Sequence, residues 1–236
     1  MHQAIGITHG VLVQSSADEP SAGRKRLIDI LEVRENYLGI AVIDPATSDH
    51  ELERLHSVGV RGARFNFVPW APTRIKLNEF RRLLDRIGTF GWHVRIHTVA
   101  DQWPALTDVL AQIHIPAVID HMGHLLPDDP ASAQAEKVLL QLLDRENWWI
   151  MIANCDRASS LPHGWDDVLP HARRLFAAAP DPAIWATDWP HVKYAKPTLP
   201  EPEHLLHFVY RMLPDGSDRR RLLVENPARL FGFQLQ

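Results

Sequence analysis

Cysteine is almost missing from this chain. The single one, Cys155, cannot form an internal disulfide, so a reducing compartment such as the cytoplasm is the expected location. No apolar run approaches the ~20 residues of a membrane-crossing helix, and Met1 to Gly10 has no basic start followed by an apolar stretch, so neither a membrane nor a secretory signal is expected. Lysine and arginine form no block and the net charge is −4, which removes nucleic acid and membrane surfaces as partners, since both need a concentrated positive field. A Gly-x-Ser-x-Gly elbow, a His-Glu-x-x-His pair, a phosphate loop and a cysteine pair for zinc are all absent. Small-molecule chemistry without those devices is what remains.

Short apolar runs alternate with segments of helical periodicity along the whole chain. Gly10 to Gln14 is a strand and Arg24 to Glu35 its helix, with Leu27, Ile28, Ile30 and Leu31 at helical spacing. The pairs continue as Tyr37 to Ile43 with Asp49 to Val58, Val60 to Phe67 with Leu77 to Phe90, and His93 to Thr98 with Asp101 to Ile113. Pro116 to His121 with Ala131 to Asp144, Trp148 to Asn154 with Trp165 to Ala178, and Ile184 to Asp188 with Pro202 to Leu213 complete the series. Asp218 to Val224 follows, and then Asn226 is placed to cap a last short helix with Pro227 at its first position. Met1 to Ile7 resembles the end of a helix stopped by Gly6.

Such alternation demands a parallel sheet covered by helices. An open nucleotide-binding sheet would turn on glycines after its first strand, where this chain reads Gln14-Ser-Ser-Ala17. A (β/α)8 TIM barrel is therefore expected, as one domain over residues 1–236, with seven of its eight strand–helix units present and the first strand missing. Two open edges would invite pairing with another chain, so a homo-oligomer is an expected partner state.

Active sites of such barrels lie at the C-terminal strand ends. Here those ends carry Gln14 with Ser16, Asp44, Arg64 with Asn66, His97, His121, Asn154 with Arg157, and Asp188 with His191. Singly, each has a bland reading: Asp44 before Pro45 as a turn acid, the asparagines as partners of loop backbone, a lone histidine as a satisfied structural residue. Together they line one rim. Side-chain alternation predicts that Ile184, Ala186 and Asp188 face inward, with Gly62, Arg64 and Asn66, with Ile119 and His121, and with Ile150, Ile152 and Asn154. His121 and His124 lie three apart, but Gly123 between them predicts a turn and not a helical metal pair. Cys155 reads as a packing residue.

Four stretches carry a further signal: Arg61-Gly-Ala-Arg-Phe-Asn-Phe67, Ile119-Asp-His-Met-Gly123, Trp185-Ala-Thr-Asp-Trp-Pro-His191 and Asn226-Pro-Ala-Arg-Leu-Phe-Gly-Phe233. In these the chain resembles the amidohydrolase superfamily, and within it the 2-pyrone-4,6-dicarboxylate lactonase branch and its sugar-lactonase relatives. The resemblance implies a TIM-barrel hydrolase that opens a carboxylate-bearing pyrone or sugar lactone. It implies Asp188 as the general base toward water and matches His121 to the family's histidine at the end of the sixth strand; as a mechanism, His121 is expected to meet the developing oxyanion, with His191 as a further donor. Arg64 and Arg157 match substrate-carboxylate arginines, and Ser16 and His97 fall near other ligand-contacting positions; Asn66 is a substrate-binding candidate from its strand-end position. No metal is required in that branch. The family's initial His-x-His pair has no counterpart here, and His124 stands where the pyrone lactonases tend to carry arginine. Two alternatives stay open: a zinc-dependent decarboxylase or hydrolase of the same superfamily, and an inactive truncated barrel that only binds a carboxylate ligand.

Overall fold

The computed structural model describes residues 2–69, 71 and 73–234. Seven strands form one parallel sheet in sequence order: β1 (Gly10–Val13), β2 (Tyr37–Val42), β3 (Val60–Asn66), β4 (His93–His97), β5 (Ala117–Ile119), β6 (Trp148–Ile152) and β7 (Ala183–Trp185). Helices α1 (Pro20–Leu31), α2 (Asp49–Ser57), α3 (Leu77–Gly88), α4 (Trp103–Leu110), α5 (Pro130–Leu143), the single turn α6 (Cys155–Ala158), α7 (Leu169–Ala178) and α8 (Pro202–Met212) fill the connections. Two more, α9 (Gly216–Arg220) and α10 (Asn226–Phe231), close the described chain. Every strand pairs with its sequence neighbour, and among the described residues β1 and β7 are the two free edges.

The sheet curls into a half-barrel, and its two apolar layers show why. The larger layer packs strand residues such as Ala63, Phe65 and Ile150 against Leu52, Phe80, Leu139 and Phe208 of the surrounding helices. A smaller cluster lies on the concave face and joins Ile40 of β2 to Val118, Trp149, Met151 and Ile184 of β5, β6 and β7. Strands spaced about 4.8 Å apart would keep β2 and β7 far from one another in a flat sheet. Curvature lets them share one core. Phe231 of α10 plugs into the same cluster.

Helix starts are set by caps that periodicity does not register. The expected helix from Arg24 begins instead at Pro20, because the Glu19 carboxylate accepts from the Ser21 and Ala22 amides. Asp129 does the same for α5. The segment from Asp101 opens with a 3-10 turn at Ala100–Gln102 before α4, and the segment from Trp165 becomes helical only at Leu169.

Asn226 is not a cap. Residues 221–225 form a π-helical turn that runs without a break into α10, so no helix start exists there. The Asn226 side chain instead donates to the carbonyls of Pro180 and Ala183 at 2.8 and 2.7 Å, which pins α10 to the start of β7. The expected N-terminal helix end is a short 3-10 turn, His2–Ile5, with Gly6 following in the left-handed region. No helix of the described residues is long and apolar enough to cross a membrane.

Candidate active site

The polar residues gather where the strands end. Strand geometry stops just before most of them, and the backbone then turns through the left-handed region at His121 (φ 53°), Asn154 (φ 62°) and Asp188 (φ 57°). This breaks the alternation expected for β5 and β6. Ile119, Ile150 and Ile152 face the helices, while Val118, Trp149 and Met151 face inward. The inward assignment holds for Ile184, which lies in the concave cluster with Ala186 packed against it. Side-chain parity can be extended only through extended backbone. His121 and Asn154 lie beyond it.

Asp188 lies 3.9 Å from His121, carboxylate oxygen to Nε2, and accepts a 2.9 Å hydrogen bond from Nε of Arg157. Burial raises its carboxyl above the usual carboxylate value, while the Arg157 guanidinium pulls the other way. Arg157 also donates to the carbonyls of Lys193 and Val192 and stacks over the Tyr194 ring, so it ties down the loop after β7. His191 reaches back through its backbone, its amide donating to the Asp188 carbonyl at 2.8 Å. The buried His191 ring packs against Tyr194.

A second group surrounds Asn66, which is fully buried. Its side-chain oxygen accepts from Ser16 at 3.2 Å and from His97 Nδ1 at 2.7 Å, and its amide donates to Thr73. That bond places the proton of His97 on Nδ1 and leaves Nε2 free. Asn66 thus holds two of the other expected site residues. Arg64 forms an ion pair with Asp120 at 3.0 Å, and its Nη2 lies 3.4 Å from Nε2 of His121.

Sequence reading passes over Asp120 and Arg95 as site residues and sets His124 aside as a ligand. Arg95 donates to Asp120 at 2.7 Å, so a fully buried carboxylate sits between two guanidiniums. The register of His93, Arg95 and His97 on one face of β4 was the available signal for Arg95. His124 arrives by the turn that Gly123 predicts, but the turn does more than end a strand. Residues 121–124 all have positive φ, and they bring His124 to the rings of both His97 and His121, with centroids 5.1 Å apart in each case. Gly123 is needed in two ways: its φ is 68°, and a Cβ there would collide with Cδ1 of Leu139. Gly123→Ala should therefore cost about 1–3 kcal/mol from overpacking alone. It should also lower activity, as read by urea unfolding and by turnover on the same preparation.

His97, His121 and His124 offer ligand atoms that all lie within 4.8 Å of one another, a donor set of a type that zinc accepts. Nδ1 of His121 and Nε2 of His124 have no partner among the described residues. Burial depresses all three imidazoles, His124 to about 4 and His121 well below the ordinary value. The folded state therefore holds them neutral where the unfolded chain, with imidazoles near about 6.5, already binds protons. Stability from this group is full above about pH 6.5 and is lost as pH falls towards 4. Thermal midpoints across that window should fall, and fall less in His124→Gln; an unchanged pH slope in the variant would contradict the assignment. Other expectations have plainer outcomes. Asp44 accepts from Ala46 and Thr47 as a turn acid, Gln14 bridges Pro20 and Val42, and burial pushes the Cys155 thiol up, as suits a packing residue.

The amidohydrolase family model matches residues 1–233. The chain belongs to this family. It is 32% identical to a 4-sulfomuconolactone hydrolase of Hydrogenophaga intermedia over 97% of its own length and 76% of that protein's. A 2-pyrone-4,6-dicarboxylate hydrolase of Comamonas testosteroni is 31% identical, with coverage of 96% and 77%. Among solved structures, a probable 2-pyrone-4,6-dicarboxylic acid hydrolase of Acinetobacter baumannii with citric acid bound superposes with a TM-score of 0.84 at 25% identity, covering 98% of this chain and 86% of that one. In the amidohydrolase half-barrel described here, Asp188, His121 and Arg64 therefore stand at strand ends of a fold shared over its whole described length.

Proposed function

We propose that this amidohydrolase opens a carboxylate-bearing lactone with water, and that Asp188 is the general base. The observation that carries the proposal is the Asp188 carboxylate: half-buried, with its proton affinity raised, facing His121 across 3.9 Å and held by Arg157. Asp188 takes a proton from water as the water oxygen bonds to the lactone carbonyl carbon. His121 and the neighbouring Arg64 meet the oxyanion, the ring C–O bond then breaks, and the leaving oxygen takes the proton back from Asp188. Arg64 and Arg157 supply the positive field for a substrate carboxylate. Ser16 and His97, joined through Asn66, are assigned to substrate contact, and His191 to the loop after Asp188.

Relatives named for lactone hydrolysis support this reading. It is tested by assaying ring opening on a panel of pyrone, muconolactone and sugar lactones with and without carboxylates. Turnover confined to carboxylated lactones is the expected result; turnover of none of them would sink the proposal.

The three-imidazole group favours a second reading, a zinc-dependent hydrolase or decarboxylase. His97, His121 and His124 would hold the ion, which would polarise a substrate oxygen as a Lewis acid. The Arg64 guanidinium beside His121 works against a second cation there. Stoichiometric zinc in the purified protein, with turnover lost to a chelator, would establish it.

A further inference from the structure

We infer that Lys196 is a positioning residue for the proposed base: it clamps the α6 turn that carries Arg157, and so keeps Arg157 on one oxygen of Asp188. Its meaning in catalysis rests on the lactonase reading above, whereas the clamp belongs to the fold.

Lys196 lies in the loop after β7 and is half-buried. Its Nζ donates to the carbonyl of Asp156 at 2.5 Å and to that of Ser159 at 2.6 Å. The last carbonyls of a helix have no partner within it, and α6 is only a single turn. The amide of Ser160, which stands in sequence where it could bond the Asp156 carbonyl, donates to Asp167 instead. A lysine can satisfy such carbonyls at a helix C-terminus, and here it arrives from another loop.

Arg157, between Asp156 and Ser159 in sequence, ties the same two pieces in the opposite sense. Its Nη2 and Nη1 donate to the carbonyls of Val192 and Lys193 at 3.0 and 3.4 Å, and its guanidinium lies 4.9 Å from the centre of the Tyr194 ring. Its Nε donates to Oδ2 of Asp188 at 2.9 Å, while Oδ1 faces Nε2 of His121 across 3.9 Å. Oδ2 is thus occupied, and Oδ1 is the oxygen left to take a proton. Misplacing a reacting group by about 1 Å can cost about 10²-fold in rate, so whatever fixes Arg157 also matters for the rotation of this carboxylate.

The test compares the full chain with Lys196→Met, which keeps an unbranched stem and removes the donor. Solvent exchange of the Arg157 Nε–H, followed by proton–nitrogen NMR and assigned by its loss in Arg157→Gln, should become about tenfold faster, the value of one hydrogen bond to a charged group. On carboxylated lactones kcat should fall about 10- to 100-fold while KM stays within about twofold, the pattern of a disturbed chemical step. Lys196→Met should add nothing to the kcat loss of Arg157→Gln, and Lys196→Arg should recover most of the activity. Unchanged exchange overturns the inference. So does a raised KM at constant kcat, which would place Lys196 in substrate binding, and so do losses in kcat that multiply in the double variant, the behaviour of a merely structural lysine. If Lys196→Met does not fold, Lys196→Gln, one bond shorter and unable to reach both carbonyls, replaces it, and unchanged exchange there refutes the inference. Faster exchange in a chain that opens no lactone would defeat the functional proposal alone; unchanged exchange in an active chain would defeat this one alone.

Discussion

Asp188→Asn is expected to lose lactone hydrolysis by about 10²- to 10⁴-fold, the usual contribution of a positioned general base. The amide is isosteric, so it can still accept from Nε of Arg157, but it cannot take a proton from water. Thermal stability should hardly move, because the desolvation that disfavours the charged form of this half-buried carboxylate opposes its contact with Arg157. The acid limb of the wild-type rate profile carries the same signature: activity requires the deprotonated form, so it should fall as pH drops through a value above that of an ordinary aspartate. Arg157→Gln should shift that limb further upward, since the guanidinium is the main group opposing the rise. An active Asn variant would remove Asp188 from the mechanism.

The second large effect is on folding. Asp120→Ala should destabilise the protein by about 3–5 kcal/mol, because removal of one partner strands the others as uncompensated buried charge. Here the stranded groups are two guanidiniums, of Arg64 and Arg95, whose side chains are 12% and 5% exposed. Urea unfolding with an unchanged m-value would measure it. Replacing all three residues together by apolar side chains of similar volume should restore much of that stability and still leave the protein inactive. A buried ion network seldom contributes net stability over a well-packed apolar one. A small loss in the single variant would mean that solvent reaches the triad.

All seven strands were legible because parallel strands covered on both faces are short continuous apolar runs, and each is bounded here by proline, glycine or a polar cluster. Ala183 to Trp185 is one such run, although its regular geometry stops three residues short of Asp188. The chemistry at the rim was legible by residue type and by resemblance, not by geometry. Alternation could not be carried past Ile119 or Ile152, where the backbone enters left-handed turns at non-glycine residues. Asp120 was hidden for another reason. An acid beside a histidine reads as a rim residue, and only the curl of the sheet shows that it lies between Arg64 and Arg95 on two other strands. His124 was set aside on the assumption that a pair three residues apart needs a helix to converge, whereas consecutive left-handed residues achieve the same convergence.

The close approach of Gly123 to Leu139 carries a consequence for how such a site can diverge. Leu139 lies in the helix layer, wholly buried, yet its Cδ1 occupies the space that any side chain at position 123 would need. The two positions are therefore expected to change together or not at all. A change at either position therefore acts on the turn that sets the spacing of His121 and His124, even while both histidines stay unchanged.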